Sequence, residues 1–248
     1  MKIVFTPDWF LGTDFLIETF SFLVLLAFFI LSFRNYKLNN NKKTLYLGVG
    51  FLLIAIAELF TIMTKWVLYY DTTIIQEIGK VILASHVVKS VDIFYYIGFF
   101  IHKLFTLSGF YIIYRLPLAK KTPGDLVLGI YFIIISAVFS QVFYYLFHLT
   151  AFLLLIMILF NYIEIYQKNK SKNTKILIIA FGMLAFSQLI FILSQINVLY
   201  VIAQIIQLIS YIILFVLIVK IKKYGKETKP YGYNIRYAGN DTGKGRKD

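Results

Sequence analysis

Residues 45–68 read LYLGVGFLLIAIAELFTIMTKWVL, an apolar run broken only by Glu58, by Thr61 and Thr64, and by Lys65 near its far end. About 20 residues of helix are needed to cross a hydrocarbon core of roughly 30 Å, and this run is long enough. It has neither the polar face of a soluble amphipathic helix nor the strict alternation over about ten residues that a transmembrane barrel strand requires. The reading is a membrane-spanning helix.

Outward from it the pattern repeats. Further apolar windows fall near 14–33, 91–114, 126–146, 149–166, 176–195 and 198–219, giving seven predicted spans. The composition agrees, with 60% hydrophobic and 15% charged residues and a mean hydropathy of +0.78, against roughly half apolar and a quarter charged in soluble domains. The expected fold class is an all-α polytopic membrane protein, a seven-transmembrane-helix bundle over residues 1–223 followed by a basic, disordered tail at 224–248. Phe147, His148 and Leu149 are the expected turn between the fourth and fifth spans. Met1–Gly12 carries one Lys and no apolar core, so no cleaved leader is expected.

Charge sets the predicted orientation. Of the 25 Lys and Arg residues, 20 fall in the first, third and fifth loops and in the tail. Lys2, Lys65, Lys80 and Lys89 fall on the opposite side, and Lys103 lies within a span. By the positive-inside rule the N-terminus is outside and the C-terminus cytoplasmic, in a cell membrane. The net charge of +13 is then mainly a topology signal, and nucleic acid is not the expected partner. The bilayer is, with anionic inner-leaflet lipids for the tail at roughly 1 kcal/mol per cation near the surface. Abundant Lys and Asn point to an AT-rich prokaryotic genome. Between Asp71 and Ser90, the residues Ile74, Ile75, Ile78, Val81, Ile82 and Ser85 recur at helical spacing; the expectation is a helix on the outer membrane face, a connector first and a lid second.

Sliding the chain on itself by 130 residues aligns Phe22 with Phe152, Leu25 with Leu155, Asn39 with Asn169, Lys42 with Lys172, Thr44 with Thr174, Leu47 with Leu177, Phe51 with Phe181, Ala55 with Ala185 and Leu59 with Leu189. The expectation is a 3+1+3 plan with both halves in the same orientation. In topology alone this resembles the microbial rhodopsins and the sugar transporters built of three-helix units. The resemblance stops there. Residues 198–219 contain no Lys for a retinal Schiff base, and Pro7, Pro117, Pro123 and Pro230 all lie outside the predicted spans.

Ionisable residues within a span are costly and mark function. Glu58 lies 15 residues from Lys43, Lys103 12 from Arg115, Gln188 13 from Lys175 and Gln207 13 from Lys220, which at about 1.5 Å per residue places all four roughly 18–23 Å above the inner boundary. Glu18, His102, Gln141 and Gln204 fall in or near the same slab. The expected site is an outward polar layer of Glu18, Glu58, His102, Lys103, Gln141, Gln188, Gln204 and Gln207, with Glu58 and Lys103 as an ion pair. The competing reading is mutual neutralisation and interhelical bonding at about 0.6–2 kcal/mol per bond. His148 and Glu164 are expected at the interfaces, without chemistry.

Cysteine is absent, which removes thiolate metal sites and Cys nucleophiles. No His-Glu-x-x-His helix, facing aspartate pair, phosphate loop or nucleophile elbow occurs, so an enzyme is the least supported class and no cofactor is expected. The expected function is a sensor or receptor-like protein, which has no output domain of its own and needs a cytoplasmic or membrane protein partner. The alternatives are a small-solute transporter and a non-catalytic subunit of a membrane complex.

Overall fold

The computed structural model describes residues 7–10, 12–77, 84–117, 123–193 and 196–227, with side chains for all of these except residues 8, 68–95 and 223–227. Among the described residues, a 3-10 turn at Asp8–Phe10 is followed by seven helices: α1 Thr13–Asn39, α2 Lys42–Glu77, α3 Ala84–Arg115, α4 Pro123–Phe139, α5 Tyr145–Asn169, α6 Lys172–Ile192 and α7 Asn197–Glu227. Six contain stretches long and apolar enough to cross a membrane. At 17 residues, α4 reaches about 25 Å at 1.5 Å per residue, just short of that length.

The helices are sorted as a lipid solvent demands. On α1 the buried residues include Asp14, Glu18, Ser21, Val24, Leu25, Phe28 and Ser32, spaced to form one stripe. Leu16, Leu23 and Ile30 point out of the protein. Polar groups inside and large aliphatic groups outside invert the arrangement that water selects, so the chain is a multi-pass helical membrane protein in contact with the bilayer.

Packing follows a closed ring. α1 lies against α2, α2 against α3, α3 against α5, α5 against α6, α6 against α7, and α7 against α1, while α4 sits outside in the groove between α3 and α5. α4 runs antiparallel to α3: Tyr111 donates to the Asp125 carbonyl at one end (2.5 Å), and Lys103 donates to the Ser140 carbonyl at the other (3.0 Å).

Two ring contacts bring backbones very close. A Cβ on Gly109 would lie 2.7 Å from the Gly50 carbonyl oxygen, and one on Gly98 would meet the Thr64 hydroxyl. Small residues at such crossings let helices gain dispersion contact where no hydrophobic force drives them together. At the ring centre Phe51 stacks on Phe28 with centroids 4.7 Å apart and lies parallel to Phe181 at 6.4 Å; Tyr162 closes the group against Phe181.

The residues paired by the 130-residue offset share local structure. Asn40 and Lys170 both adopt the left-handed conformation, φ 49° and 50°, and both donate a backbone N–H to the carbonyl four residues back, Tyr36 and Tyr166. α2 and α6 begin at the equivalent Lys42 and Lys172. Phe51 and Phe181 are the two rings stacked at the centre.

Three expectations are corrected. The turn between the fourth and fifth helices is at 140–144, not at Phe147–Leu149, which lie inside α5; the apolar residues Val142 to Leu146 hid the break by extending the fourth window to 146. Residues 71–77 and 84–90 continue α2 and α3 rather than forming a separate surface helix, and residues 78–83 lie outside the described residues. Lys65, counted with the cations of the outer side, is 4% exposed within the bundle. Of the proposed tail, residues 228–248 lie outside the described residues.

Candidate functional site: a polar layer inside the ring

Each of the six ring helices turns polar side chains inward on the α1 N-terminal side of the Phe51–Phe181 stack. Helical spacing makes this an array of stripes: Asp14, Glu18 and Ser21 on α1; Glu58, Thr61 and Lys65 on α2; Tyr200, Gln204, Gln207 and Tyr211 on α7. Residues three, four and seven apart share a helix face.

Lys65 is the centre of charge. Its Nζ donates to Asp14 Oδ2 at 2.6 Å and to Glu18 Oε1 at 2.5 Å. Asp14 has a second role through its other oxygen, Oδ1, which accepts the backbone N–H groups of Gly12 (3.1 Å) and Phe15 (2.9 Å) where the helix leaves amides without partners. One carboxylate thus caps α1 and clamps α1 to α2.

Glu58, 5% exposed, accepts at Oε1 from the Tyr211 hydroxyl of α7 at 3.3 Å. Gln207, one turn before Tyr211, hydrogen-bonds the same phenol. The Gln204 amide donates to the Tyr200 hydroxyl at 3.1 Å. Two acceptors in this array, Glu18 Oε2 and Gln204 Oε1, are buried and receive no donor from the described residues.

Across the ring the chemistry is neutral. His148 Nδ1 donates to Gln188 Oε1 at 2.8 Å, and its ring stacks on Phe191. His102 Nδ1 lies 2.7 Å from Thr61 Oγ1 and 3.1 Å from the Ala57 carbonyl; a carbonyl only accepts, so this nitrogen carries the hydrogen.

Glu18, Glu58, His102, Gln188, Gln204 and Gln207 therefore share one layer, and two expected members differ. Lys103 does not pair with Glu58; it points away from the α2 stripe to the Ser140 carbonyl, because the turn at residue 140 brings an unpaired helix-end carbonyl within its reach. Gln141 lies in that same turn and donates to the Tyr96 carbonyl at 3.4 Å. Glu164 pairs with Lys168 on the exposed side of α5. The sequence reading missed Asp14, Lys65, His148, Tyr200 and Tyr211. The signal for the first two was present, since Asp14 is four residues from Glu18 and Lys65 seven from Glu58; the tyrosines were hidden because a phenol counts as apolar in a hydropathy window.

Among the described residues no three His, Asp or Glu side chains group to hold a metal ion. Comparison with protein-family models, with curated proteins and with solved structures returns no match. The fold and the site define a class: an integral, multi-pass helical membrane protein with a buried polar layer.

Proposed function

We propose that this protein binds a small polar ligand in the layer enclosed by its six-helix ring and acts as a sensor or receptor. The observation that supports this reading is that polar side chains from all six ring helices point inward on the α1 N-terminal side of the Phe51–Phe181 stack, with buried acceptors at Glu18 and Gln204 left without donors among the described residues. Polar groups that only join neighbouring helices saturate one another. In this reading the N-terminus is outside and the C-terminus cytoplasmic in the cell membrane, α4 is the seventh crossing, the basic tail lies on anionic inner-leaflet lipid, and a partner protein carries the output.

A second reading, solute transport, is favoured by the matched turns at Asn40 and Lys170 and the Phe51–Phe181 stack, which support two equivalent three-helix halves in the order α1, α2, α3, α5, α6, α7 around the ring. Transporters built of parallel repeats place their site between such halves.

The test is purification from the native membrane in mild detergent, identification of bound small molecules by mass spectrometry, and reconstitution of the protein into liposomes with the molecule found. Binding lost in Glu58→Gln, without movement across the bilayer, supports the sensor; accelerated exchange of labelled solute supports the transporter. A stoichiometric protein partner with no bound small molecule makes the chain a complex subunit and the layer helix-joining material.

A further inference from the structure

The charge of the layer is unbalanced, and the imbalance lies on one side of the ring. Asp14 and Glu18 both engage Lys65, and Lys103 is turned to the Ser140 carbonyl. Glu58 has no cation within ion-pair distance among the described residues; its bonded partner is the Tyr211 phenol. Glu18, a like charge, and Lys65 are the charged groups that act on it. Three carboxyl groups thus face one ammonium group in a low-dielectric interior, where an uncompensated carboxylate is strongly disfavoured.

An independent feature points the same way. Gln204, 6% exposed, keeps Oε1 buried without a donor. It lies on the α7 stripe between Tyr200, whose hydroxyl accepts its amide N–H, and Tyr211, which donates to Glu58 on α2. α1 packs against both α2 and α7, whereas α2 and α7 are not close-packed neighbours; the Tyr211–Glu58 hydrogen bond joins them. On the inward stripes of these three helices Glu58, Glu18 Oε2 and Gln204 Oε1 are all acceptors.

The 130-residue offset pairs Glu18 with His148 and Glu58 with Gln188. At equivalent positions one half carries two carboxyl groups and the other a neutral, mutually bonded pair.

Building on the ligand-binding reading above, we infer that the space between α2 and α7 is a site for a small primary ammonium ion, held by Glu58, Glu18 Oε2 and Gln204 Oε1. A primary ammonium supplies the missing positive charge and three N–H donors for three acceptor groups. A quaternary ammonium supplies the charge without the donors, and an alcohol one donor without the charge.

The experiment is thermal unfolding of the purified full chain in detergent, titrated with methylammonium, ethylammonium and propylammonium, and in parallel with tetramethylammonium, with alcohols of matching length and with a panel of neutral polyols and amino acids. The expected result is a saturable rise in Tm with the primary ammonium ions alone, its midpoint moved to at least about tenfold higher concentration in Glu58→Gln, equivalent to about 1.4 kcal/mol of lost affinity. Gln204→Leu, which leaves every carboxyl group in place, moves it in the same direction and serves if Glu58→Gln does not fold. A saturable response to the neutral probes instead, unchanged in Glu58→Gln, overturns the ammonium site and leaves the ligand-binding layer standing. A Glu58→Gln protein more stable than the parent, in a layer deaf to every cation, means that Glu58 is satisfied by a proton and also overturns it. No response to any probe class removes the inference together with the reading beneath it.

Discussion

Lys65 Nζ sits 2.6 Å from Asp14 Oδ2 while the opposite oxygen of the same carboxylate caps the first turn of α1. The consequence is that the start of the first helix and the α1–α2 interface stand or fall together. Removing one partner of a buried ion pair costs about 3–5 kcal/mol, because it strands the other charge. Lys65→Met, which strands two carboxylates, is expected to lose at least that much. The double variant Lys65→Met with Glu18→Gln recovers part of the loss by removing one stranded charge. Thermal or denaturant unfolding in detergent reads both, and equal stability of Lys65→Met and the parent removes the clamp from the account.

Gly109 and Gly182 predict opposite signs for one substitution. Gly109→Ala drives a methyl group against the Gly50 carbonyl, which is backbone and cannot swing aside, at a cost of about 1–3 kcal/mol. Gly182→Ala in α6 meets only Leu159 Cδ1 at 3.9 Å, an ordinary contact, and gains helix propensity of up to about 1 kcal/mol. Unfolding midpoints measured on the two variants side by side check the ordering.

At Lys170 the backbone stands at φ 50°, a conformation that costs an L-residue about 1–2 kcal/mol and glycine little. Lys170→Gly is therefore expected to raise stability by a fraction of that amount, and Lys170→Val to lower it. Asn40 occupies the matching position with φ 49°, but Asn tolerates this region, so Asn40→Gly changes stability less. A larger gain at Asn40 than at Lys170 contradicts the argument.

Because the chain has no cysteine, single cysteines report sidedness without background. α4 runs antiparallel to α3 and α5 turns back from it at 140–144, so the α1–α2 and α5–α6 turns lie at the same end of the bundle. Asn40→Cys and Lys170→Cys are expected to react with a membrane-impermeant maleimide from the same side, and from the cytoplasmic side if the distribution of Lys and Arg sets orientation as proposed. Labelling of the two from opposite sides shows that α4 does not cross.

How much of this was legible beforehand differs residue by residue. The span around Phe51 was plain because lipid demands an apolar window, and a window is a one-dimensional quantity. The α4–α5 turn was misplaced by several residues because Val142 to Leu146 are as apolar as a helix interior, and backbone turns within a continuous apolar run leave no mark on hydropathy. Glu18, Glu58, His102, Gln188, Gln204 and Gln207 were grouped by residue count at a constant rise, which says nothing of the bonds that Glu18, Glu58, His102, Gln188 and Gln204 make.

The sequence by itself determined that this is a helical membrane protein and how many residues separate each polar group from the end of its apolar run. Only the tertiary structure decided which depth-matched groups touch. Depth is additive along a helix, whereas contact depends on how each helix is rotated and on which neighbour the ring places beside it. That is why Lys65, and not Lys103, became the partner of the buried carboxylates, and why Glu58 was left facing the Tyr211 hydroxyl.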